Sequence, residues 1–236
     1  MRAVHDAGLE RKIADRFRQI GDNGWFPDEL ASDSPQLAMV RDVLHPGPGM
    51  KILDAGCARG RFLRHLAGTG ATLFGIDLTE VFLHSARANV PGAGLTAGSL
   101  SSLPFRDASF DAVYCIEALE HLPDTDAALA ELARVLRPAG LLLVIDKSML
   151  GLHPACGVPN PLWKWWRERR GLWMYPAAFG FREKWFWPRR LKAAMARHFD
   201  GVQVRFQTEG FGKASRLYRM MPFFAFEAGW FGRRKA

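Results

Sequence analysis

Hydrophobic and polar positions alternate along the middle of the chain in blocks that predict strands followed by helices. Five short apolar runs have the length of strands and cover residues 51–53, 71–76, 94–97, 111–116 and 141–145. Between them, apolar residues recur every three or four positions, as in helices, over residues 61–66, 80–89 and 125–136. Strands that alternate with helices indicate a parallel sheet with right-handed crossovers. The predicted fold class is therefore α/β, with a doubly wound, mostly parallel sheet.

Segments on both sides of this block extend the prediction. Two amphipathic helices, one over residues 9–20 and one that begins at Pro35, are expected to precede the sheet. Residues 147–187 break the alternation with a cluster of proline, glycine, tryptophan and arginine, which predicts a cap inserted after the fifth strand. A helix over 188–199 and a strand over 202–206 then resume the pattern, whereas the last residues of the chain fit no single element.

The length of 236 residues fits one domain, within which four parts can be distinguished. N-terminal helices in residues 1–47 are expected to cover a ligand site on an α/β core at residues 48–146. The cap at 147–187 follows, and residues 188–236 are expected to complete the sheet and to end in a basic, aromatic tail. Hydrophobic residues make up 48% of the chain, which is typical of a folded core and excludes wholesale disorder.

Cysteine usage and the lack of long apolar runs bear on the cellular location. The sequence has no run of about 18 apolar residues, and its first residues lack the apolar region of a signal peptide. Cys57, Cys115 and Cys156 stand far apart without a C-x-x-C pair, so we expect buried thiols rather than disulfides or zinc ligands. These features predict a cytoplasmic protein.

Charge is distributed unevenly along the chain. Residues 1–146 hold 14 Lys and Arg against 19 Asp and Glu, a net charge of −5, and residues 147–236 hold 18 against 5, a net charge of +13. Seven of the eight tryptophans also lie after residue 147. Tryptophan prefers the membrane–water boundary, and basic residues attract anionic headgroups. Residues 161–235 are therefore predicted to contact the anionic surface of the inner face of the membrane. Two alternatives stay open: stacking on nucleic acid, for which no RNA-binding module is recognisable, and tryptophans that only roof a substrate pocket.

A glycine-containing loop follows the first predicted strand and opens a helix, which is where α/β sheets bind ligands. From Gly56 to Gly60 its spacing is G-x-A-x-G. A nicotinamide dinucleotide site would instead have the spacing G-x-G-x-x-G, whose last glycine would fall on Arg61. The second strand is followed by Asp77, and a carboxylate there can accept hydrogen bonds from both hydroxyls of a ribose.

Four segments resemble, in order and spacing, the class I S-adenosylmethionine-dependent methyltransferases, and most closely the branch that contains the ubiquinone- and menaquinone-biosynthesis methyltransferases. They read LDAGCARGRFL, FGIDLTEVFLHSAR, LSSLPFRDASFDAVYCIEALEHLPD and ELARVLRPAGLLLVI. The resemblance covers residues 48–146. It implies a Rossmann-like fold with a seven-stranded sheet, an enzyme that transfers methyl groups, and S-adenosyl-L-methionine as its cofactor. An inactive relative is the alternative, since a fold does not guarantee a function.

The resemblance also implies roles for individual residues. Asp54, Gly56, Cys57 and Gly60 are expected around the methionine part of the cofactor, and Asp77 at its ribose. Leu78, Ser99 and Leu100 are expected at the adenine. Cys115 and Ile116 are expected near the sulfonium. Three positions depart from the family pattern. Ala58 replaces the middle glycine of the loop, and Ser99 stands where the family often has an acid, which weakens the expected contact with the adenine amino group. Ala139 replaces the first glycine of the usual R-P-G-G turn.

Three residues after the fourth strand, Glu117, Glu120 and His121, are candidates for catalysis or for metal binding. In a helix they would share one face, and the pattern E-x-x-E-H could then hold magnesium, manganese or zinc. The same pattern also packs the start of a helix in relatives without a metal, and on that interpretation activity should survive chelation. His121 is the candidate general base, with Glu117 beside it. Asp146, after the fifth strand, is a further catalytic candidate that could equally cap the next segment.

The acceptor is predicted from the basic, tryptophan-rich end of the chain. A protein held at a membrane surface would reach a hydrophobic or lipid-linked small molecule, so we predict in-line methyl transfer to such an acceptor. An RNA-modifying methyltransferase and a methyltransferase of a soluble small molecule are the alternatives. The sequence leaves open whether oxygen, nitrogen or carbon is methylated.

Overall fold

The computed structural model describes five stretches of the chain: residues 7–20, 29–152, 161–170, 183–212 and 214–236. Cys156 and much of the predicted cap lie outside these residues. Within the described residues, no helix combines the length and the apolar character that crossing a bilayer requires.

Seven strands form the central sheet: β1 (Lys51–Ala55), β2 (Thr72–Asp77), β3 (Gly94–Ala97), β4 (Phe110–Ile116), β5 (Leu136–Lys147), β6 (Phe199–Phe206) and β7 (Glu227–Arg234). Their order across the sheet is β3-β2-β1-β4-β5-β7-β6. The first five strands pair in parallel, and β7 runs antiparallel to both β5 and β6. The predicted α/β class, with a doubly wound and mostly parallel sheet, is confirmed.

Helices flank this sheet, and the described residues contain eight: α1 (Ala7–Ile20), α2 (Pro35–Leu44), α3 (Arg61–Leu66), α4 (Glu80–Asn89), α5 (Thr125–Val135), α6 (Pro161–Arg169), α7 (Pro188–Met195) and α8 (Ala214–Met220). Short 3-10 turns occur at Ala67–Thr69, Leu119–His121 and Pro222–Phe224. The start of α2 follows from its sequence, because the Ser34 hydroxyl accepts the N–H of Leu37 and proline occupies the first turn.

Apolar side chains cover both faces of the sheet, as expected when helices pack on each side. Successive side chains of a strand point to opposite faces. Leu53 and Val113 therefore join the core with α5, whereas Ile52 and Tyr114 join the core with α2 and α3. Because both faces are filled, the carboxyl edge of the parallel strands, where their loops begin, is the place for a ligand.

The carboxyl-terminal part differs from the prediction in its last strand. Residues 227–234 contain two glycines, which suggest turns, yet they form β7. A Cβ atom at Gly229 would collide with the sulfur of Met39, so glycine lets α2 pack closely against this strand. β5 also begins earlier than predicted, at Leu136, because this residue pairs with Phe110 of β4.

Candidate functional site

A cavity opens at the carboxyl edge of the sheet, where β1 to β4 end. It encloses about 1060 Å³, including space that is open to solvent. Its walls are the loops that follow these strands and one face of α1, which contributes Glu10, Ile13 and Phe17. Parallel sheets of this kind bind their ligands at this edge, beside the helix that follows the first strand.

The loop after β1 is held close to the sheet by its own backbone. The N–H groups of Gly56 and Cys57 both donate to the carbonyl oxygen of Ile76, at 2.8 and 2.9 Å. Gly56 has a φ of +91°, and a Cβ atom there would lie 2.5 Å from the Cβ atom of Ala118, so this position requires glycine. Gly60 caps α3 and packs against α4, and its expected contact with the cofactor stays a prediction.

Asp54, in β1, lines the cavity and is almost completely buried. The Tyr114 hydroxyl donates to its Oδ2 atom at 3.0 Å. Burial raises the pKa of Asp54 to about 8, and the hydrogen bond from Tyr114 opposes part of this rise. A cation beside this carboxyl group would favour its ionised form, so Asp54 is suited to hold a positively charged part of a ligand.

Asp77, the last residue of β2, is aimed by two backbone hydrogen bonds. Its Oδ2 atom accepts the N–H of Ala58 at 2.8 Å, and its Oδ1 atom accepts the N–H of Thr79 at 2.7 Å. Burial raises the pKa of Asp77, whereas these hydrogen bonds favour the ionised form. A carboxylate oxygen can accept more than one hydrogen bond. The carboxylate of Asp77 can therefore also accept hydrogen bonds from the two neighbouring hydroxyls of a ribose.

Beyond Asp77, the cavity wall is formed by Leu78 and by residues 98–100, which follow β3. Cys57, Ser99 and Leu100, expected at the cofactor, therefore line the cavity together with Leu78. Ser99 donates a hydrogen bond to the Oε1 atom of Glu10 at 3.0 Å. The acid that the family often has at position 99 is absent from β3, but α1 places another acid beside it.

Glu117 and His121 line the opposite end of the cavity, after β4. In a helix they would share one face with Glu120, but this segment is not an α-helix. The N–H of Glu117 donates to Ile145 in β5, Glu117 has a φ of +50°, and only a 3-10 turn follows. Glu120 is consequently buried in the core while His121 meets the cavity, where its ring packs edge-on against Phe17 with 4.9 Å between centroids.

A buried lysine lies among the acidic residues behind this end. The residue is Lys147, whose Nζ atom is 2.6 Å from Oε1 of Glu120, 3.3 Å from Oε1 of Glu183 and 3.6 Å from Oε1 of Glu117. Burial alone would lower the pKa of Lys147, but the surrounding carboxylates raise it well above its usual range. Lys147 is therefore a cation that balances a buried negative cluster.

The group of possible metal ligands differs from the expected one. Among the described residues, the group with ligand atoms close enough for a metal ion is Glu120, His121 and Glu183, whose atoms lie within 4.8 Å of one another. Glu183 thus takes the place expected for Glu117. Because the ammonium group of Lys147 already lies against both glutamates, the cluster is built around a lysine and does not fit a metal.

Asp146 and Cys115, two further predicted site residues, do not line the cavity. The buried carboxylate of Asp146 accepts the N–H of Glu120 at 3.2 Å and that of Lys147 at 3.0 Å. It therefore positions the turn after β4, which corrects its assignment as a catalytic candidate. Cys115 is buried in the core, and because side chains alternate along β4, its neighbour Ile116 lines the cavity instead.

Glu10, Lys147 and Glu183 belong to this site and were missed by sequence reasoning. The side-chain hydrogen bonds that bring them into the site join residues 27 to 91 positions apart along the chain. One signal was available for Lys147, because a lysine that directly continues a buried strand requires carboxylates around it.

Residues 53–144 match the family model described as "Methyltransferase domain". The chain carries a class I methyltransferase domain. This domain holds the glycine loop, Asp54, Asp77 and His121. The predicted membership of the class I methyltransferases, enzymes that take their methyl group from S-adenosyl-L-methionine, is confirmed for this part of the chain.

Curated relatives share this domain rather than the whole chain. The ubiquinone biosynthesis O-methyltransferase of Thiobacillus denitrificans is 33% identical over 134 residues, which cover 53% of this chain and 58% of that protein. The 24-methylenesterol C-methyltransferase 2 of Oryza sativa subsp. japonica is 40% identical over 123 residues, which cover 49% of this chain and 34% of that protein. The match covers between 30% and 58% of the length of the curated relatives.

A solved structure extends the likeness beyond the methyltransferase domain. The S-adenosylmethionine-dependent methyltransferase from Mesorhizobium loti matches 86% of this chain over 99% of its own, with a TM-score of 0.63 and 21% identity. At this identity the likeness shows a shared fold, so the Rossmann-like methyltransferase fold is confirmed.

Proposed function

We propose that the protein transfers a methyl group from S-adenosyl-L-methionine to a hydrophobic or lipid-linked small-molecule acceptor. The observation that carries the proposal is a single cavity with two parts. One part has carboxyl groups suited to the cofactor, and the other is apolar and contains a histidine. Asp54 and Asp77 line the first part, and Ile116, Leu122 and His121 line the second. When bound, S-adenosylmethionine supplies an electrophilic methyl group on a sulfonium.

The first part of the cavity fits the charges and hydroxyls of this cofactor. Asp54 offers a buried carboxyl group that ionises beside a ligand carrying an ammonium and a sulfonium. Asp77 offers two aimed oxygens to the ribose hydroxyls. Gly56 keeps the loop without a side chain where it approaches Ala118, so the loop after β1 can lie close to the segment after β4.

The second part fits an apolar acceptor. Ile13 and Phe17 of α1 line the cavity together with Ile116 and Leu122, and Phe17 packs against His121, so an acceptor that enters this end loses contact with water. Two relatives are named for ubiquinone biosynthesis and for sterol methylation, and both kinds of molecule are apolar. These observations support a hydrophobic acceptor and leave the methylated atom open.

His121 is suited to take a proton from the acceptor. Its Nε2 atom lies 3.5 Å from Oε1 of Glu120, and a carboxyl group beside an imidazole fixes the orientation of the ring. Lys147 holds that carboxylate in place at 2.6 Å. In-line methyl transfer needs alignment, exclusion of water and removal of one proton, so these residues suffice without a metal.

A transfer assay with methyl-labelled S-adenosylmethionine tests this proposal. The wild-type protein should label the chloroform-soluble fraction of a cell extract and leave the water-soluble fraction unlabelled. His121→Asn should lower the rate about 100-fold or more because a general base is lost, while the binding of S-adenosylhomocysteine stays unchanged. Label that appears only in RNA or in a water-soluble molecule would show that the acceptor class is wrong.

Binding of S-adenosylhomocysteine should strengthen as the pH rises from about 6 to about 8. Burial raises the pKa of Asp54 to about 8, so below that pH its carboxyl group is protonated and must lose its proton to pair with the ligand's ammonium. Each unit of pH should change the dissociation constant by up to about tenfold. Titration calorimetry measures this slope, and Asp54→Asn should remove it. An equal slope in both proteins would rule out Asp54 as its source.

We also propose that the basic, aromatic part of the chain holds the protein at an anionic membrane. The tryptophan face, defined as Leu162, Trp163, Trp165 and Trp166 of α6, is exposed, with fractions of 77% for the leucine and 38–43% for the tryptophans. Each tryptophan stacks with the arginine four residues later: the pairs and their distances are Trp163 with Arg167 at 4.6 Å, Trp165 with Arg169 at 4.7 Å and Trp166 with Arg170 at 4.0 Å. The same face therefore presents apolar rings and positive charges together.

The opposite side of α6 is fastened to the body of the protein. Lys164 is buried there, donates a hydrogen bond to the carbonyl oxygen of Gly151, and lies 4.6 Å from the ring centroid of Trp185. Beside α6, a second cavity is lined by apolar residues and by basic residues of α7: Leu150, Trp165, Trp187, Phe206, Phe223, Arg189, Arg190 and Lys192. A lining of apolar and basic residues fits the tail and the headgroup of an anionic lipid.

The protein should sediment with vesicles that contain phosphatidylglycerol and not with vesicles of pure phosphatidylcholine. Basic residues near an anionic surface contribute about 1 kcal/mol each, so added salt should weaken the binding. Replacing Trp165 and Trp166 by alanine should weaken it at least about tenfold, because two rings that insert at the headgroup level are lost. Val81→Ala, which removes an exposed apolar group from α4, is the control and should bind as the wild type does.

Two outcomes would contradict the membrane proposal. Tight binding to single-stranded RNA without binding to anionic vesicles would make the tryptophan face a nucleic-acid surface. If the protein bound neither, the tryptophans would only cover a substrate pocket, and a soluble acceptor would be favoured.

A further inference from the structure

An acidic residue of α1 is built into the cavity. Glu10 is only 5% exposed, and its Oε1 atom accepts hydrogen bonds from two hydroxyls, Ser99 Oγ at 3.0 Å and Ser101 Oγ at 3.1 Å. Ser99 in turn accepts the N–H of Ser101 at 3.0 Å, which fixes the serine pair. These two hydrogen bonds fix the carboxyl group of Glu10 at the wall of the cavity, beside the loop that follows β3.

The strand order indicates which part of the cofactor meets Glu10. The reacting end must lie toward β4, because Glu117 and His121 follow that strand. Asp77, suited to the ribose, ends β2, on the other side of β1. A base attached to this ribose must therefore extend away from the reacting end, toward β3, which Ser99 follows.

Resting on the proposed function, we infer that Glu10 accepts a hydrogen bond from the exocyclic amino group of the cofactor's adenine. The contact selects adenine over a 6-oxopurine, because a carboxylate accepts from an amino group and opposes a carbonyl oxygen. It also couples α1 to the cofactor. Since Ile13 and Phe17 lie on the same helix and line the acceptor end, the bound cofactor helps to seat the wall against which the acceptor packs.

Two ligands that differ at this group test the inference. Titration calorimetry should show that the wild-type protein binds S-adenosylhomocysteine roughly 10- to 100-fold more tightly than S-inosylhomocysteine, in which an oxo group replaces the amino group. Glu10→Gln keeps the size of the side chain but can donate to the oxo group. This variant should reduce the preference for the adenosyl ligand to about threefold or less, or reverse it.

The control is Asp15→Asn, which removes an acid of the same helix that is exposed and paired with Arg18. It should keep the wild-type preference. Circular dichroism compares the folding of the variants with that of the wild type, and a ratio of two affinities is independent of the fraction that is folded. If Glu10→Gln binds both ligands with the wild-type ratio, Glu10 does not read the base and the inference is overturned while the proposed function stands. If the wild-type protein binds neither ligand, the proposed function fails first.

Discussion

Lys147→Met should lower the free energy of unfolding by about 3–5 kcal/mol, because removing one partner of a buried ion pair leaves the other charges uncompensated. Lys147 lies within 3.6 Å of three glutamates, and one oxygen of Glu120 already lacks a hydrogen-bond partner. The loss should be larger at pH 8 than at pH 6. Burial raises the pKa of Glu183 to about 7, so at the lower pH a proton can replace part of the lost positive charge.

Denaturant unfolding at both pH values measures this effect. Lys192→Met removes an exposed lysine of α7 and is the control, with an expected change within about 0.5 kcal/mol. Adding Glu120→Gln to Lys147→Met should restore part of the stability, since one unpaired carboxylate is then neutral. A loss for Lys147→Met no larger than that of the control would mean that Lys147 does not balance the cluster. The same role predicts that wild-type turnover survives chelation by EDTA.

Asp77→Ala should weaken the binding of S-adenosylhomocysteine about 100-fold or more. The variant loses two charge-assisted hydrogen bonds to the ribose, each worth about 1.5–3 kcal/mol at most. It also leaves the N–H groups of Ala58 and Thr79 without the carboxylate that orders the loop. Both losses act on the cofactor end of the cavity.

Titration calorimetry measures the affinity of this variant, and Asp77→Asn is the matched comparison. The amide keeps one oxygen acceptor and the shape of the side chain, so its loss should be intermediate. Glu80→Ala, a surface acid at the start of α4, should bind as the wild type does. Wild-type affinity in Asp77→Ala would place the ribose elsewhere and contradict the orientation of the cofactor in the cavity.

The elements of the methyltransferase domain could be predicted because their signals are local. α4 and β3 occupy the predicted residues, since apolar periodicity within ten residues determines which face is buried. The residues at the cofactor end of the cavity could be predicted for the same reason. Asp54, Gly56 and Asp77 belong to strand-end motifs whose place in the fold follows from the strands themselves.

The acceptor end could not be predicted in the same way because it depends on contacts between distant segments. The pattern E-x-x-E-H suggested a helix, but a hydrogen bond from Glu117 to Ile145 continues the pairing with β5 and prevents it. Glu183 meets Lys147 across 36 residues, and Glu10 meets Ser99 across 89. No local pattern signals such pairs, so the residues that shape the ends of the cavity became visible only in the folded chain.

Titration calorimetry of the wild-type protein with S-adenosylhomocysteine and, separately, with NADH tests the central claim most directly. The G-x-A-x-G loop and the aimed carboxylate of Asp77 predict saturable binding of S-adenosylhomocysteine at one site per chain and no binding of NADH. Tight binding of NADH, with no heat from S-adenosylhomocysteine, would contradict the assignment of this cavity to methyl transfer.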